Sequence, residues 1–563
     1  MKRKAARHAE PAVATGAEQA AAAAPGPRVR RVSPWSSRPY RLLLILWFAA
    51  NISQSMHEAT SAWLMASLGA SAFVVALLQA VASLPSFLLA LPSGALTDLA
   101  DRRRILIAAY AMMSFVGIAL GAVLLAGFAS PGILLVGAMA MGLTFSLRLP
   151  AYSAVVQEVV AREALPRAIV WAGAAMNASR TIGPLAAGAL IALGGPAVSF
   201  ILIGVMMLGV TVALARWRRP RAPASTLPSE RFIGAMRVGL QFSRQTPAVW
   251  AVLIRAAAYF LSAVALVALL PVVVRDELDA GPNTYSLLFS LFGLGAVVLA
   301  LTIHIWRSRL SRDGMIIAGI AMQTAAALAF AVFDNVAVLA VAMFLSGVAW
   351  ISVASALSVT AQLALPAWVR GRGLAAVQMA FMGGGTIGAL VWGQVATIWN
   401  LRITFTAAAI ATLASLALAR RYPLASIPQE DLTPSSHWRE PEVAEPVEHD
   451  EGPVQVMLEY LIDPKNAEEF VVLLQESRRS RLRGGATSWA LFRDPANPGR
   501  YVEQWVEESW LELLRHRDRL TVAERELRDA KRAFHIGDGP PAITFLIAED
   551  AARRKPDQGS TTV

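Results

Sequence analysis

Cysteine does not occur in this chain, so disulfide bonds, thiolate metal sites and cysteine catalysis are excluded, and cysteine usage indicates no compartment. Charge is also scarce: charged residues form only 16% of the 563 residues, against about a quarter in ordinary soluble domains. The phosphate-binding loop Gly-x-x-x-x-Gly-Lys-Ser/Thr is absent too, so nothing in the sequence indicates an ATP-driven protein.

Apolar residues dominate instead, at 56% of the chain with a mean hydropathy of +0.50. They arrive in long blocks such as 72–91 and 105–128, each near the roughly 20 residues that cross about 30 Å of hydrocarbon. We therefore predict an all-α polytopic membrane protein with lipid as its main solvent. The predicted spans are 41–65, 72–97, 104–127, 131–157, 165–194, 196–216, 247–274, 284–306, 313–333, 336–364, 370–398 and 402–420.

The net charge of +12 comes from arginines that lie between apolar blocks and at the N-terminus. This placement favours a role in membrane topology over a nucleic-acid partner. Arginine-rich connections alternate with connections that hold almost no Lys or Arg, and the arginine-rich side of a membrane protein is cytoplasmic. We expect a multi-pass protein of the inner (plasma) membrane with both termini in the cytoplasm, and a disordered basic tail over residues 1–34.

The longest connection, 217–246, divides the spans into an N-terminal half, 35–216, and a C-terminal half, 247–421, of six helices each. Shifting the second half back by 205 residues aligns Gly183 with Gly388 and Gln157 with Gln362. The same shift superposes two basic loops. Because a single offset matches loops and a helix core, we predict an internal repeat whose halves enclose a site near the membrane midplane.

The loop after the second span reads Gly94-Ala-Leu-Thr-Asp98, followed by Asp101 and the basic cluster Arg102, Arg103 and Arg104. It resembles the signature loop of the major facilitator superfamily, which implies a gating latch in which Asp98 pairs with arginine. The alternative is a plain turn with arginines that only set orientation. Asp101 replaces the family's usual glycine, and the second-half copy, 306–312, has no acid, so the latch would be one-sided.

The fifth span carries Gly183-Pro184, which resembles the Gly-Pro motif of exporters in this superfamily and implies close helix packing and antiport. Gly388 and Gly393 in the eleventh span complete our set of expected conformational residues. Together with Pro366, Trp368 and Arg370 of the preceding connection, these motifs resemble the enterobactin-exporter-like branch, also called transmembrane secretion effectors. The resemblance covers residues 34–550 and implies ion-driven export of siderophores, drugs or related hydrophobic molecules.

Several polar side chains fall inside predicted spans, where a charge costs about 2.5–3.5 kcal/mol on insertion scales. Glu58 could take and release a proton, although the outer end of its span could simply reach water. Arg148 and Arg255 could line a cavity or extend to the cytoplasm. We therefore place these residues in a candidate cavity or coupling set: His57, Glu58, Arg148, Asn177, Arg180 and Arg255.

After a Pro/Glu-rich linker, 422–453, the composition becomes that of a soluble domain over 454–550, followed by a tail, 551–563. The pattern predicts strands over 454–461, 486–493, 500–507 and 542–548 with helices over 464–483 and 509–534, the order of a ferredoxin-like α+β fold. This order resembles dimeric α/β-barrel proteins, which implies self-pairing or a docking role. His516 could be catalytic by that resemblance, but a lone histidine is more often structural.

The sequence thus favours a secondary transporter that moves a small molecule, with protons as the expected coupling ion, and with no cofactor, metal site or enzymatic activity. Two alternatives stay open. One is an importer on the same scaffold, and the other is a membrane-anchored sensor or enzyme acting through the C-terminal domain.

Overall fold

The computed structural model describes residues 33–161, 163–217, 239, 241–366, 368–424, 443, 447–448, 450–518 and 520–549. Within helices, the side chains of residues 90–91, 94–99 and 518 are outside this description. The expected N-terminal tail, the central loop, the linker and the C-terminal tail therefore lie mostly or wholly outside the described residues, as do Gly94 and the side chain of Asp98.

The N-terminal two thirds of the chain is helical. The long helices are α1 (Arg38–Ser67), α2 (Ala72–Leu99), α3 (Arg102–Leu125), α4 (Pro131–Val159), α5 (Leu165–Arg216), α6 (Pro247–Val272), α7 (Pro282–Arg309), α8 (Arg312–Val332), α9 (Val336–Ala364), α10 (Arg370–Ile398) and α11 (Leu401–Ala414). A short helix, α12 (Ala417–Arg421), follows α11, and α6 runs into a π-helical turn, Val273–Glu277. Most bounds lie within three residues of the predicted spans.

Prolines and side-chain caps set where these helices begin. Pro131, Pro247 and Pro282 occupy first helical positions, where the missing N–H costs nothing. Asp101 caps α3 by accepting hydrogen bonds from the backbone N–H groups of Arg103 and Arg104. The residue that departs from the family's loop pattern is thus the N-cap of the next helix.

Ten of the described helical segments are long and apolar enough to cross a membrane. One of them, α5, is 52 residues long and spans two predicted segments. It is interrupted at Gly195, whose φ of 79° is one that glycine adopts without strain. The predicted boundary between the fifth and sixth spans lies at this residue.

Helix packing repeats along the chain. Gly183 of α5 lies against α1, where an added Cβ would approach the backbone N of Met56 to 3.1 Å. Gly388 of α10 lies in the same way against the carbonyl of Leu261 on α6. Since Met56 and Leu261 are also 205 residues apart, the contacts repeat with the offset seen in the sequence. Small residues permit this close approach of helix backbones.

The C-terminal domain is an antiparallel four-stranded sheet covered by helices. Its elements are β1 (Val454–Leu461), α13 (Ala467–Gly484), β2 (Ser488–Arg493), β3 (Arg500–Glu507), α14 (Trp510–Asp518), α15 (Val522–Ala533) and β4 (Ala542–Ile547), with strand order β2-β3-β1-β4. Buried residues alternate along β1 and β3, so one face of the sheet packs on a core that includes Phe470 and Trp505.

The single predicted helix over 509–534 is two helices in the structure. Thr521 stops the first and caps the second, because its hydroxyl accepts from the Glu524 backbone N–H while the Glu524 carboxylate accepts from the Thr521 N–H. This capping box is a helix-start signal that the sequence analysis did not use.

Candidate functional site

A small cavity lies where helices from the two halves of the helical region meet. Its volume is about 30 Å³, room for about two water molecules. The lining comes from α1, α2, α4, α6 and α7: Gln54, His57, Glu58, Ser61, Ala62, Val75, Leu78, Gln79, Ala82, Ala138, Met141, Val267, Ala268, Tyr285 and Phe289. The surface is mostly apolar with one carboxylate, so it suits a hydrophobic ligand more than a sugar or nucleotide.

Glu58 is the acidic group of this cavity. Gln54, one helical turn earlier, donates a hydrogen bond of 2.9 Å to the Glu58 Oε1. The Glu58 carboxylate also interacts electrostatically with Arg180 and Arg148, neither of which lines the cavity directly. The structure therefore brings together an acid from α1 and two cations from α4 and α5.

Arg148 is completely buried in α4. Its Nη2 donates to Asn51 Oδ1 at 3.2 Å, and its guanidinium lies 5.1 Å from the ring centroid of Trp47 and 5.2 Å from that of Phe145. Among the described residues, its Nε and Nη1 have no hydrogen-bond acceptor. Arg148 thus lies in the helix core against two aromatic faces instead of extending to water.

Arg180 lies on α5 at the interface with α7. The backbones of α5 and α7 are so close there that a Cβ added to Gly293 would lie 2.5 Å from the Arg180 carbonyl oxygen. Asn177, three residues earlier, donates to the Gly173 carbonyl at 3.0 Å, and its buried Oδ1 has no partner in the described part of the chain. These polar groups place the cationic side of the cluster at the junction of the two halves.

His57 also lines the cavity. Its Nε2 lies 3.3 Å from Ser61 Oγ, and its ring meets Phe200 edge-on at 5.4 Å. Its Nδ1 is buried with no partner among the described residues. The ring is thus held by neighbours on both sides, next to Glu58 in sequence but on the adjoining face of α1.

Arg255 does not belong to this cluster. It is 4% exposed on α6, where its Nη1 donates to Asp313 Oδ1 at 2.6 Å and to the carbonyl of Tyr422 at 3.4 Å. It is not among the residues that line the cavity. Sequence reasoning missed its partner, because Asp313 reads as an ordinary acidic residue in the first turn of α8.

The basic cluster at the start of α3 contacts other helix ends. Arg102 Nη1 donates to Glu158 Oε1 at 2.6 Å, joining α3 to the C-terminal end of α4. Arg103 Nη2 donates to the carbonyl of Ala215, near the end of α5, at 2.6 Å. Glu158 was not among the expected site residues, although an acid beside a basic loop is a visible signal. The backbone of Arg104 is held by the Asp101 cap.

Hydrogen bonds between α2 and α10 also join the two halves directly. The Phe73 backbone N–H donates to Thr397 Oγ1 at 2.9 Å, and Ser83 Oγ lies 2.8 Å from Thr386 Oγ1. Gly393 of α10 permits the same approach, because an added Cβ would lie 2.6 Å from Ala76 Cβ. Pro184 is buried in α5 beside Gly183. Gly183, Gly388 and Gly393 thus each lie where two helices approach closely.

His516 of the C-terminal domain is buried, and its Nδ1 lies 2.7 Å from Glu507 Oε1. Its Nε2 faces Gly484, where an added Cβ would overlap the imidazole. The ring therefore fills space between α13 and α14. Within the described ranges, no group of three or more His, Asp or Glu side chains is arranged to hold a metal ion.

Comparisons with known proteins agree with this architecture. A family model described as transmembrane secretion effector matches residues 30–554. None of the curated proteins compared with the chain matches it. Among solved structures, the nucleoside transporter NupG superposes with a TM-score of 0.55 at 11% identity, over 68% of this chain and 99% of that one.

Two further solved structures are similar to the same degree. A bacterial homolog of the human lysosomal transporter Spinster, inward-facing and occupied, gives a TM-score of 0.57 at 13% identity, over 70% of this chain and 98% of the other. A POT family transporter in complex with 5-aminolevulinic acid gives 0.58 at 11% identity, over 69% and 97%. At these identities the likeness shows the fold alone, which this chain shares with those transporters. The family model is the match that places the chain among major facilitator transporters.

Proposed function

Because this chain belongs to the transmembrane secretion effector family, we propose that it is a proton-driven exporter of a small hydrophobic or siderophore-like molecule. The observation that carries the proposal is the placement of Glu58 in a mostly apolar cavity between the halves, within electrostatic reach of Arg180 and Arg148. The enterobactin-exporter-like motifs of the sequence support the direction and the class of substrate.

The cluster of Glu58, Arg148 and Arg180 provides a reason why proton movement would be coupled to substrate movement. An ionised Glu58 offsets part of the charge of the buried Arg148 and the half-buried Arg180, whereas a protonated Glu58 removes that compensation. The two protonation states therefore favour different packings of α1 against α4 and α5. Alternating exposure of Glu58 to the two sides of the membrane would exchange a proton for the substrate.

The arrangement of the spans is part of the proposal. The ten candidate spans become twelve when α1 is counted and α5 is divided at Gly195. The connections rich in arginine then lie on one side, which we assign to the cytoplasm, together with both termini. The two six-helix halves would rock about the cavity, with the Arg102–Glu158 ion pair and the side chain of Asp98 stabilising one closed state.

The C-terminal domain is assigned an accessory role, and we propose no enzymatic activity for it. Its strand order and helices fit a ferredoxin-like fold. The sheet face opposite the helices carries apolar side chains, among them Met457, Val502 and Val506, which alternate with the buried residues of β1 and β3. We propose that this face pairs with the same face of a second copy, as the resemblance to dimeric α/β-barrel proteins implies.

A flux experiment tests the proposed function. Cells overproducing the chain are screened for resistance to hydrophobic antibiotics and siderophores, and inside-out vesicles are then loaded by an imposed pH gradient. An exporter accumulates the selected compound in inside-out vesicles, and the Glu58→Gln variant loses this accumulation. Glu163→Gln, which changes an exposed acid in a loop, serves as the control.

The opposite result favours an importer, for which accumulation occurs only in right-side-out vesicles. Truncation after residue 423 separates the third alternative. Transport by the truncated chain at normal protein level supports an accessory domain, and chemical turnover by the full chain without transport contradicts the proposal.

A further inference from the structure

The C-terminal domain contains a cavity much larger than the one between the helices. Its volume is about 520 Å³, within the range of sites that hold drug-sized ligands. It lies between the helix-covered face of the sheet and the helices α13 and α15. Apolar side chains from several elements form most of its wall: Leu458, Leu520, Leu527, Pro540, Pro541 and Ile543.

The cationic side of this cavity is assembled from two helices. Four of the lining side chains are cationic and one, Glu524, is acidic. Glu524 is already engaged, because it accepts from Ser480 Oγ at 2.6 Å and lies 3.6 Å from Arg483. Arg528 is paired with Asp529 at 2.8 Å, so a ligand that enters the cavity meets chiefly Lys531, Arg481 and Arg532 beside the apolar wall.

Lys531 is the buried end of that cationic side, at 2% exposure. Its Nζ donates to Ser477 Oγ at 2.7 Å and to Glu503 Oε2 at 3.0 Å. An ammonium has three N–H donors, and the third has no acceptor among the described residues. A buried ammonium with an unused donor in a cavity wall is a position where an anion gains a charge-assisted hydrogen bond.

The Glu503 carboxylate does not fully neutralise the Lys531 ammonium, because the carboxylate is shared among several groups. Besides Lys531, its carboxylate accepts from Ser477 Oγ at 2.5 Å and Trp489 Nε1 at 3.0 Å, and it lies 3.9 Å from Arg481 Nε. Burial lowers the pKa of Lys531 to about 8, although the Glu503 carboxylate acts in the opposite direction. One carboxylate thus serves two cations at the base of the cavity.

From this geometry we infer that the cavity is a binding site for a small amphipathic organic acid, whose carboxylate meets Lys531 and whose apolar body lies against the leucine-lined wall. The inference does not depend on what the helical region transports. The same helix α13 also reaches the helical region, since Gln241 Nε2 donates to the Ala486 carbonyl at 2.8 Å just beyond its end.

Binding is tested on the full chain in lipid nanodiscs by isothermal titration calorimetry, with empty nanodiscs subtracted. The probes are 4-phenylbutyrate and naphthalene-2-carboxylate, each compared with its uncharged primary amide. We expect the acids to bind at least about tenfold more tightly than the amides, the size of a hydrogen bond to a charged group. Equal binding of acid and amide, or no heat from either acid up to about 10 mM, overturns the inference.

Variants place the binding in this cavity rather than between the helices. Arg532→Gln, an exposed change at the rim, is expected to weaken acid binding about two- to fivefold, as for an exposed charge pair. Arg525→Gln changes an exposed cation of the same helix that does not line the cavity, and it should leave binding unchanged.

Leu527→Trp places a bulky ring in the apolar wall of the cavity and should weaken binding of both acids. The melting temperature of each variant verifies that the domain is folded. The double variant Lys531→Met with Glu503→Gln removes the buried ammonium and its closest carboxylate together, and it deletes the proposed carboxylate contact as a second measurement. If Arg532→Gln, Leu527→Trp and the double variant all bind the acids as the unmodified chain does, the site lies elsewhere and the inference is wrong.

Discussion

Removing Lys531 should destabilise the C-terminal domain strongly, because its ammonium is buried against the Glu503 carboxylate at 3.0 Å. Lys531→Met leaves that carboxylate, which has no exposed surface, without its closest cation. Breaking a buried pair by removing one partner costs about 3–5 kcal/mol, whereas replacing both partners is often close to neutral. We therefore expect Lys531→Met to lose about 3–5 kcal/mol and the double variant with Glu503→Gln to recover most of it.

The pH dependence of the domain's stability gives an independent value for the interaction between Lys531 and Glu503. Burial alone would raise the pKa of Glu503, but Lys531, Arg481 and two side-chain hydrogen bonds outweigh burial and lower it from 4.5 to about 2. A carboxyl whose pKa is lower in the folded state stabilises the fold above pH 4.5 and loses that contribution as pH falls towards 2. The shift corresponds to about 3 kcal/mol.

Hydrogen exchange followed by mass spectrometry measures the opening free energy of β1 and β3 within the full chain. The unmodified domain should lose protection between pH 4.5 and 2, and Lys531→Met should show a smaller acid-dependent loss from an already lower value. If Lys531→Met costs less than about 1 kcal/mol, or the double variant is as unstable as the single one, the proposed role of the buried pair is refuted.

Two further predictions concern the helical region. Two substitutions test the packing of α10: Gly388→Val should abolish folded protein in the membrane, because a side chain there overlaps the Leu261 carbonyl, whereas Gly385→Val, with open space at its Cβ, should be tolerated. Size-exclusion chromatography of the solubilised protein measures the yield of both variants, and equal yields would contradict the packing argument. Arg102→Gln and Glu158→Gln should slow transport similarly, and the double variant should be no slower than either, because each of the three removes the same ion pair. Additive losses of rate in the flux assay would show that Arg102 and Glu158 do not act as a pair.

The helical framework could be predicted because apolar length and loop charge are local properties of the sequence. The bounds of α9 and α10 coincide with the predicted spans 336–364 and 370–398. The 205-residue offset also found the equivalent glycines Gly183 and Gly388, because close helix packing requires the same small residue in both halves.

Partners across long sequence separations could not be predicted. Asp313 is 58 residues from Arg255, and Glu158 is 56 residues from Arg102, so only the fold decides which acid meets which arginine. The candidate set therefore included Arg255 without its partner and grouped it with Glu58, which lies elsewhere. Arg148, Arg180 and Glu58 were chosen singly, and the structure places them in one cluster.

The C-terminal domain shows the same limit. The residue pattern predicted its four strands, with clear alternation in 454–461, but the cavity and the Lys531–Glu503 pair depend on how α13 and α15 cover the sheet. The sequence analysis considered His516 because of a resemblance, while Lys531 drew no attention in a helix rich in exposed charges. Burial of a lysine is a tertiary property that a polar helix pattern conceals.

Proton movement coupled to the substrate tests the central claim most directly. The purified chain is reconstituted into liposomes that enclose a pH-sensitive dye, and the compound selected in the resistance screen is added. The account predicts a substrate-dependent change of internal pH for the unmodified chain and for Glu163→Gln, and none for Glu58→Gln at equal protein content. A Glu58→Gln protein that moves protons with substrate at the unmodified rate would contradict the assignment of Glu58 as the coupling group.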